Sequence, residues 1–236
     1  MSTILVMPDL QIPFHHKRAL SFLIEVRDKF KPDIVVNVGD EVDNCALSRY
    51  PKDPNGESAG TELKTTRTVL KRFYDEFPTV CLCESNHRQR LYKRAYEAGI
   101  PTEYLADVHE YLQAPNGWQW QDQWEFDGIV FEHGDRANSS LSGGDKLVDA
   151  NHKSTVYGHH SGRAGISYRK LAGKMLFSMN VGCLVDETGY GMNYLKMSRT
   201  KPVLSCGVIL DGVPMLIPYH KSKTAQKKKK VAVKSK

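Results

Sequence analysis

Val38-Gly39-Asp40-Glu41-Val42-Asp43 follows the apolar run Asp33-Ile34-Val35-Val36-Asn37, so a buried strand ends on a carboxylate. A similar pairing stands about thirty residues earlier, in Ile4-Leu5-Val6-Met7-Pro8-Asp9. Between the two, Ala19, Phe22, Leu23, Val26 and Phe30 recur at helical spacing within Arg18–Phe30, and Lys31-Pro32-Asp33 ends that helix. Strand, helix and strand in this order make a βαβ unit with a parallel, right-handed crossover. Two such strands, each closed by an aspartate, are also the beginning of a metal site.

The same rhythm continues along the chain. A long polar segment, residues 44–60, leaves the carboxyl end of the second strand, where open α/β sheets place their ligands. A helix is predicted over Thr61–Phe77 and a strand over Thr79–Cys83, which ends at Glu84-Ser85-Asn86-His87. Helical segments follow at Arg88–Ala98 and Glu103–Leu112, and Trp118–Glu125 alternates aromatic and polar residues as an edge or amphipathic strand does. Short strands at Gly128–Glu132 and Thr155–Tyr157 end on His133-Gly134-Asp135 and Gly158-His159-His160. Between them a Ser/Gly segment, Asn138–Gly144, opens a helix over Gly144–Asn151. The remainder is β-rich: Lys174–Asn180, then Val203–Leu210 and Val213–Tyr219 joined by an Asp211-Gly212 turn.

At 236 residues, with 40% hydrophobic and 25% charged side chains, the chain suits one large soluble α/β domain. No apolar run approaches the roughly 18 residues of a membrane span, and the first residues read as a strand and not a signal segment. A cytoplasmic protein without a membrane partner is the expectation. Five widely spread cysteines (Cys45, Cys81, Cys83, Cys183, Cys206) without zinc-finger spacing agree with a reducing compartment. The formal charge of +6 is local: eight lysines after residue 220 exceed it, leaving −2 on residues 1–220. Those 220 residues are read as the folded domain, and 221–236 as a disordered lysine-rich tail. Such a tail either tethers a polyanion such as nucleic acid by counterion release or merely solubilises the chain.

Each strand-end residue has an ordinary explanation alone. The ordered series Asp9, Gly39-Asp40, Asn86-His87, His133 and Gly158-His159 does not, and it resembles the calcineurin-like metallophosphoesterase superfamily. The signature of that family is Asp-x-His, Gly-Asp-x-x, Gly-Asn-His-Asp/Glu, a His and Gly-His-x-His; the resemblance spans residues 3 to about 219 and includes Asn180-Val181-Gly182-Cys183 after the last motif. It implies a two-sheet α/β sandwich with flanking helices, and one or two divalent cations that clamp a phosphoryl group and activate water. By the resemblance Asp40 bridges the cations, Asn86, His133 and His159 complete one site, and His87 protonates the leaving oxygen or stabilises its charge.

The other site departs from the pattern. Gln11 stands in place of the first His and Ser161 in place of the last, which leaves Asp9, Gln11, Asp40 and Asp43, with His160 as an alternative imidazole and His15 and His16 as spares. Purple acid phosphatases of the same superfamily place a ligand where Asp43 stands. So many oxygen donors favour Mn²⁺, with Mg²⁺, Ni²⁺ or Zn²⁺ as alternatives. Ser85 replaces the Gly before Asn86, and Arg88 replaces the acid after His87, putting a cation in position to pair with substrate phosphate.

A phosphomonoesterase or phosphodiesterase acting on nucleic acid or nucleotides is the expected function; bacteriophage and bacterial members, and nucleases of the SbcD type in their core motifs, are what the chain looks like. Arg90, Lys93, Arg94, Arg136 and Arg163 near the motifs are candidate phosphate contacts, and Trp118, Trp120 and Trp124 are core residues first and base-stacking residues second. Protein or small-molecule phosphatase activity stays open. Gln11 and Ser161 favour a rival reading, a non-catalytic nucleic-acid-binding module.

Overall fold

A computed structural model describes residues 1–51, 53–137, 143–187 and 201–220. The lysine-rich tail and most of the Asn138–Gly144 segment lie outside the described residues.

The first sheet runs β11-β10-β1-β2-β3-β4, with β1 (Ile4–Met7), β2 (Ile34–Asn37), β3 (Val80–Cys83), β4 (Trp118–Gln121), β10 (Ser205–Leu210) and β11 (Val213–Pro218). Strands β1 to β4 are parallel, while β10 and β11 form an antiparallel hairpin that closes against β1. The second sheet runs β5-β6-β7-β9-β8, built from β5 (Gln123–Phe126), β6 (Ile129–Glu132), β7 (Ser154–Tyr157), β8 (Gly165–Leu171) and β9 (Lys174–Asn180).

Alternation along the strands makes the layers. In β1, Leu5 and Met7 face α1 (Ala19–Phe30) and α2 (Ala59–Glu76), joining Phe22, Leu23, Leu70 and Phe73 in one core. Ile4 and Val6 face the other way, into an inter-sheet core with Val36, Phe131, Val156, Phe177 and Met179. Each large side chain buried in this way contributes about 2 kcal/mol. Beyond the second sheet, α5 (Gly143–Asn151) packs Leu147 onto Tyr157. The result is the α/β/β/α sandwich expected from the sequence, with two sheets flanked by helices.

Three local expectations are corrected. Trp118–Glu125 is two strands, not one: β4 edges the first sheet, β5 edges the second, and the chain crosses between layers at Asp122. The crossing lets one aromatic run serve both cores, Trp118 and Trp120 in the helix-facing one, Trp124 and Phe126 between the sheets. The Glu103–Leu112 helix breaks into a 3₁₀ turn (Thr102–Tyr104) and α4 (Val108–Leu112), because Asp107 accepts the Glu110 N–H at 2.9 Å and starts a new helix. Strand β8 was not anticipated; its polar residues Ser167, Arg169 and Lys170 suit an edge, and Ala172-Gly173, both at positive φ, turn it back onto β9. The remaining helix, α3 (Arg90–Glu97), starts two residues later than expected. Among the described residues no helix is long and apolar enough to cross a membrane.

Candidate metal centre

The chemistry-bearing residues sit on loops at the carboxyl ends of β1, β2, β3, β6 and β7, at the rim where both sheets present their central strands. These loops are held in unusual backbone conformations. Gln11, Asp40 and His159 have φ of 48°, 51° and 65°, the left-handed region that non-glycine residues adopt only where the surroundings impose it. The surroundings are specific. Asp40 O accepts from Leu10 N at 3.0 Å and Gln11 N at 2.7 Å, tying the first two motifs together. Asn37 Oδ1 accepts from Gly39 N at 2.8 Å while its amide donates to Pro8 O; Asn180 repeats the device with Gly182 N and His160 O. Gly39, at φ 99°, leaves room that a Cβ would take from His133 Nδ1 at 2.8 Å. At Gly158 a Cβ would stand 2.3 Å from Asp9 Oδ1.

Four donor groups converge. Asn86 Oδ1 lies 2.7 Å from His133 Nε2 and 3.1 Å from His159 Nδ1, the two ring nitrogens are 3.1 Å apart, and Asp40 Oδ1 is 3.5 Å from His133 Nε2. His133 Nδ1 donates to Val38 O at 3.0 Å, which turns Nε2 toward the cluster; burial lowers the ring's pKa, but the Asp40 and Asp9 carboxylates outweigh it and raise it above the ordinary imidazole value. Electrostatics sharpen the set. Burial raises the Asp40 carboxyl, yet His133, His87 and His159 outweigh it and bring it down to about 2. Burial, helped by His133, pushes His159 down to about 4, so its ring is a neutral donor. One carboxylate, one amide oxygen and two imidazole nitrogens, with Asp40, His133 and His159 close enough to share an ion, fit a divalent cation.

A second group of oxygens lies on the β1 loop. Asp9 Oδ1 accepts the His159 N–H at 3.1 Å, but Asp9 Oδ2 and Gln11 Oε1 are buried without a hydrogen-bond partner. Burial and the neighbouring Asp40 raise the Asp9 carboxyl to about 7. Two orphaned buried oxygens on one loop would both be satisfied by a hard cation, which is the fit that Gln11 in place of a histidine calls for.

Other candidates are placed differently. Asp43 is engaged by Arg90, whose Nη1 donates to Asp43 Oδ1 and O, both at 2.8 Å; burial still raises its carboxyl to about 7. His160 Nε2 bonds Ala137 O at 3.2 Å and its ring stands edge-on to His159 at 4.9 Å. His15 bonds Pro13 O and His16 packs on Tyr219, so both spares are occupied in the fold. His87 sits beside Asp40 and Asp43, at 3.7 and 3.8 Å, with its Nε2 2.9 Å from Arg90 Nη2.

Arg88 is a correction. Expected to face substrate, it is buried, paired with Glu84 and packed over Tyr92 and Trp120. Nearby Glu41 is fully buried beside Asp40, where burial raises its carboxyl, the charge of Arg88 opposes that rise and the Trp120 indole donates to its Oε1 at 3.1 Å. Arg90 takes the place beside His87, and its signal was only its spacing, three residues on, one turn along the same face. The three indole N–H groups all point inward, Trp118 to Phe77 O, Trp120 to Glu41 and Trp124 to Leu82 O, in keeping with core residues.

Fold and site together define a two-sheet α/β protein with an Asp/Asn/His cluster at the strand ends that could hold a divalent cation. The chain is 26% identical over 218 residues to the Gene 54 protein of Mycobacterium phage L5, covering 78% of this chain and 79% of that one. Among solved structures it is similar to YfcE, a phosphoesterase from E. coli (14% identity, 90% of each chain, TM-score 0.41). Vps29 from Chaetomium thermophilum gives 13% identity, 92% of this chain, 89% of the other and a TM-score of 0.44. No protein-family model matches the chain.

Proposed function

We propose that this protein is a metallophosphoesterase that hydrolyses a phosphodiester or phosphomonoester, with nucleic acid or a nucleotide as the favoured substrate. The observation that carries the reading is the convergence of Asp40, Asn86, His133 and His159 within hydrogen-bond distances of one another, with the orphaned oxygens of Asp9 and Gln11 alongside. Asp40, Asn86, His133 and His159 would hold one divalent cation, and Asp9 with Gln11 would hold a second beside Asp40. Bound there, such ions supply Lewis acidity to the phosphoryl oxygens and lower the pKa of water. The oxygen-rich second position favours Mn²⁺ over Zn²⁺.

The chain's own residues then have distinct tasks. Arg90 supplies a permanent positive charge at the mouth of the site, next to His87. His87, which burial lowers to about 4, is a neutral ring at pH 7 beside the cation centre, and it would donate to the leaving oxygen through Nε2 once substrate displaces Arg90 from that nitrogen. Asp43 orients Arg90, which in turn holds His87 Nε2. The lysine-rich tail is a tether for nucleic acid, and the five free thiols suit the cytoplasm.

The test is hydrolysis of bis-p-nitrophenyl phosphate and p-nitrophenyl phosphate with Mn²⁺, Mg²⁺, Zn²⁺ or Ni²⁺, comparing wild type with Asp40→Ala and His87→Ala. Turnover that depends on metal and on both residues supports the reading; no turnover with any of the four metals overturns it. Gln11 and Ser161 favour the second reading, a non-catalytic nucleic-acid-binding module, which predicts DNA binding without turnover.

A further inference from the structure

Two hollows on the β4/β5 edge of the sandwich run into each other and into the donor cluster. One, of about 630 Å³, is walled by His133, Ser85 and Gln123; the other, of about 780 Å³, by Tyr92, Lys93, Tyr96 and Trp120. They share Glu84, Gln89, Gln121 and Asp122, so a single groove leads away from His133. Each is of the size of a small-molecule site.

The walls change character along the groove. Beside the cluster they are amides and carboxylates. Glu84 and Glu132 are neutralised by Arg88 and Arg136, and Gln89, Gln121, Gln123 and Asp122 offer amide donors and oxygen acceptors. A phosphate backbone would find no free cation there, whereas base edges and sugar hydroxyls, which both donate and accept, would be matched. Farther out the groove turns aromatic. Tyr92 and Tyr96 are four apart on α3 and share a face, Trp120 forms the floor under Arg88, and Tyr96 is 84% exposed with an open ring face. Lys93 and the Glu97-paired Arg49 then return positive charge in the hollow that His133 does not line.

Resting on the phosphoesterase reading of the metal centre, we propose that this groove is a nucleoside subsite that takes a single-stranded nucleic acid: scissile phosphate at the donor cluster, sugar and base edges against the glutamines, a base stacked on Tyr96 and the next phosphate at Lys93. Stacking on an aromatic face tolerates every base, so the subsite selects nucleic acid without selecting sequence.

Two measurements test it. The first compares kcat/KM on the p-nitrophenyl ester of thymidine 5′-phosphate with that on methyl p-nitrophenyl phosphate. Wild type favours the nucleoside ester by about tenfold or more, and Tyr96→Ala cuts that ratio by about fivefold. Tyr168→Ala, at another exposed tyrosine, on β8 away from the groove, leaves the ratio and the rates unchanged. The second needs no metal: a thymidine tetranucleotide quenches Trp120 fluorescence of the full chain at a salt concentration that silences the tail, and Trp120→Phe and Tyr96→Ala each abolish the response. A nucleoside ester no better than the methyl ester, or a ratio indifferent to Tyr96, overturns the subsite. So does a stronger preference for a phosphotyrosine peptide. If neither ester turns over while quenching persists, the phosphoesterase reading falls and the subsite stands; absent quenching with active ester hydrolysis does the reverse.

Discussion

Arg90 Nη2 lies 2.9 Å from His87 Nε2, and because a guanidinium only donates, that nitrogen is the acceptor and the ring proton sits on Nδ1, 3.8 Å from Asp43 Oδ2. Arg90, itself held by Asp43, thus sets the tautomer of the ring beside the donor cluster. Burial is the largest cause of the low His87 pKa, and among the charges Arg90 works in the same direction. Arg90→Ala therefore lets the ring take up a proton at higher pH. The acid limb of the kcat profile moves up in pH, and kcat falls by about 10- to 100-fold. Arg90→Lys keeps the charge and loses the fork, so it recovers part of the rate and little of the tautomer control. Profiles of the three proteins measure both effects.

Two opposing pairs set the pH dependence of the metal-free protein: Asp9 and Asp43, raised to about 7, lose their stabilisation as pH rises from about 4 to about 7, while His87 and His159, lowered to about 4, cease to oppose folding as pH rises from about 4 to about 6.5. Asp9 and Asp43 keep their protons to about 7 when folded, against 3.8 for the ordinary carboxyl, because both are buried. At these two carboxyls the folded chain binds more protons than the unfolded one, so their stabilisation is complete below the unfolded value and disappears through the folded one. Thermal melts in chelator should show Tm changing little up to pH about 6.5 and falling from there through about 7, where only the carboxyls still titrate. Asp9→Asn flattens the slope, and Mn²⁺ at pH 8 restores Tm by binding the ionised form.

Gly158→Ala tests how closely the two sheets meet. Its Cβ would stand 2.3 Å from Asp9 Oδ1 and 2.8 Å from Val38 Cγ2. Overpacking of this kind costs about 1–3 kcal/mol, read from urea melts. Displacing Asp9 also weakens Mn²⁺ binding, by about tenfold or more, measured by calorimetry.

Arg88 separates structure from catalysis. Arg88→Ala unpairs Glu84 and removes the charge that opposes the burial of Glu41, lowering stability by about 1–3 kcal/mol, while Arg88→Met with Glu41→Gln recovers part of that loss. In both cases kcat per folded molecule is expected to stay within about twofold of wild type, since the side chain faces the core. A large loss of kcat in the double variant would return Arg88 to the site.

The strands and their order were legible because β1, β2, β3, β6 and β7 are short apolar runs, each closed by a residue that does chemistry. The donor cluster was legible for the same reason: a strand end fixes where a side chain emerges. What stayed hidden depends on direction and on long-range pairing. Adjacent residues on a helical turn diverge, and nothing local says that Arg88 turns inward to Glu41 while Arg90 turns to His87. The layer switch at Asp122 was masked by an unbroken aromatic alternation, and β8 by the polarity of an edge. The orphaned oxygens of Asp9 and Gln11 appear only once burial is known.

The second sheet is one uninterrupted stretch of chain, β5 to β9, set between β4 and β10 of the first. Asp9, Asp40 and Asn86 belong to one layer, His133 and His159 to the other. The cation centre is therefore a seam: an ion held there rivets two separately built halves, and its affinity gauges how well they have docked. A fragment ending at the Asp122 crossover keeps the oxygens and forfeits both imidazoles, so neither half alone can grip the ion.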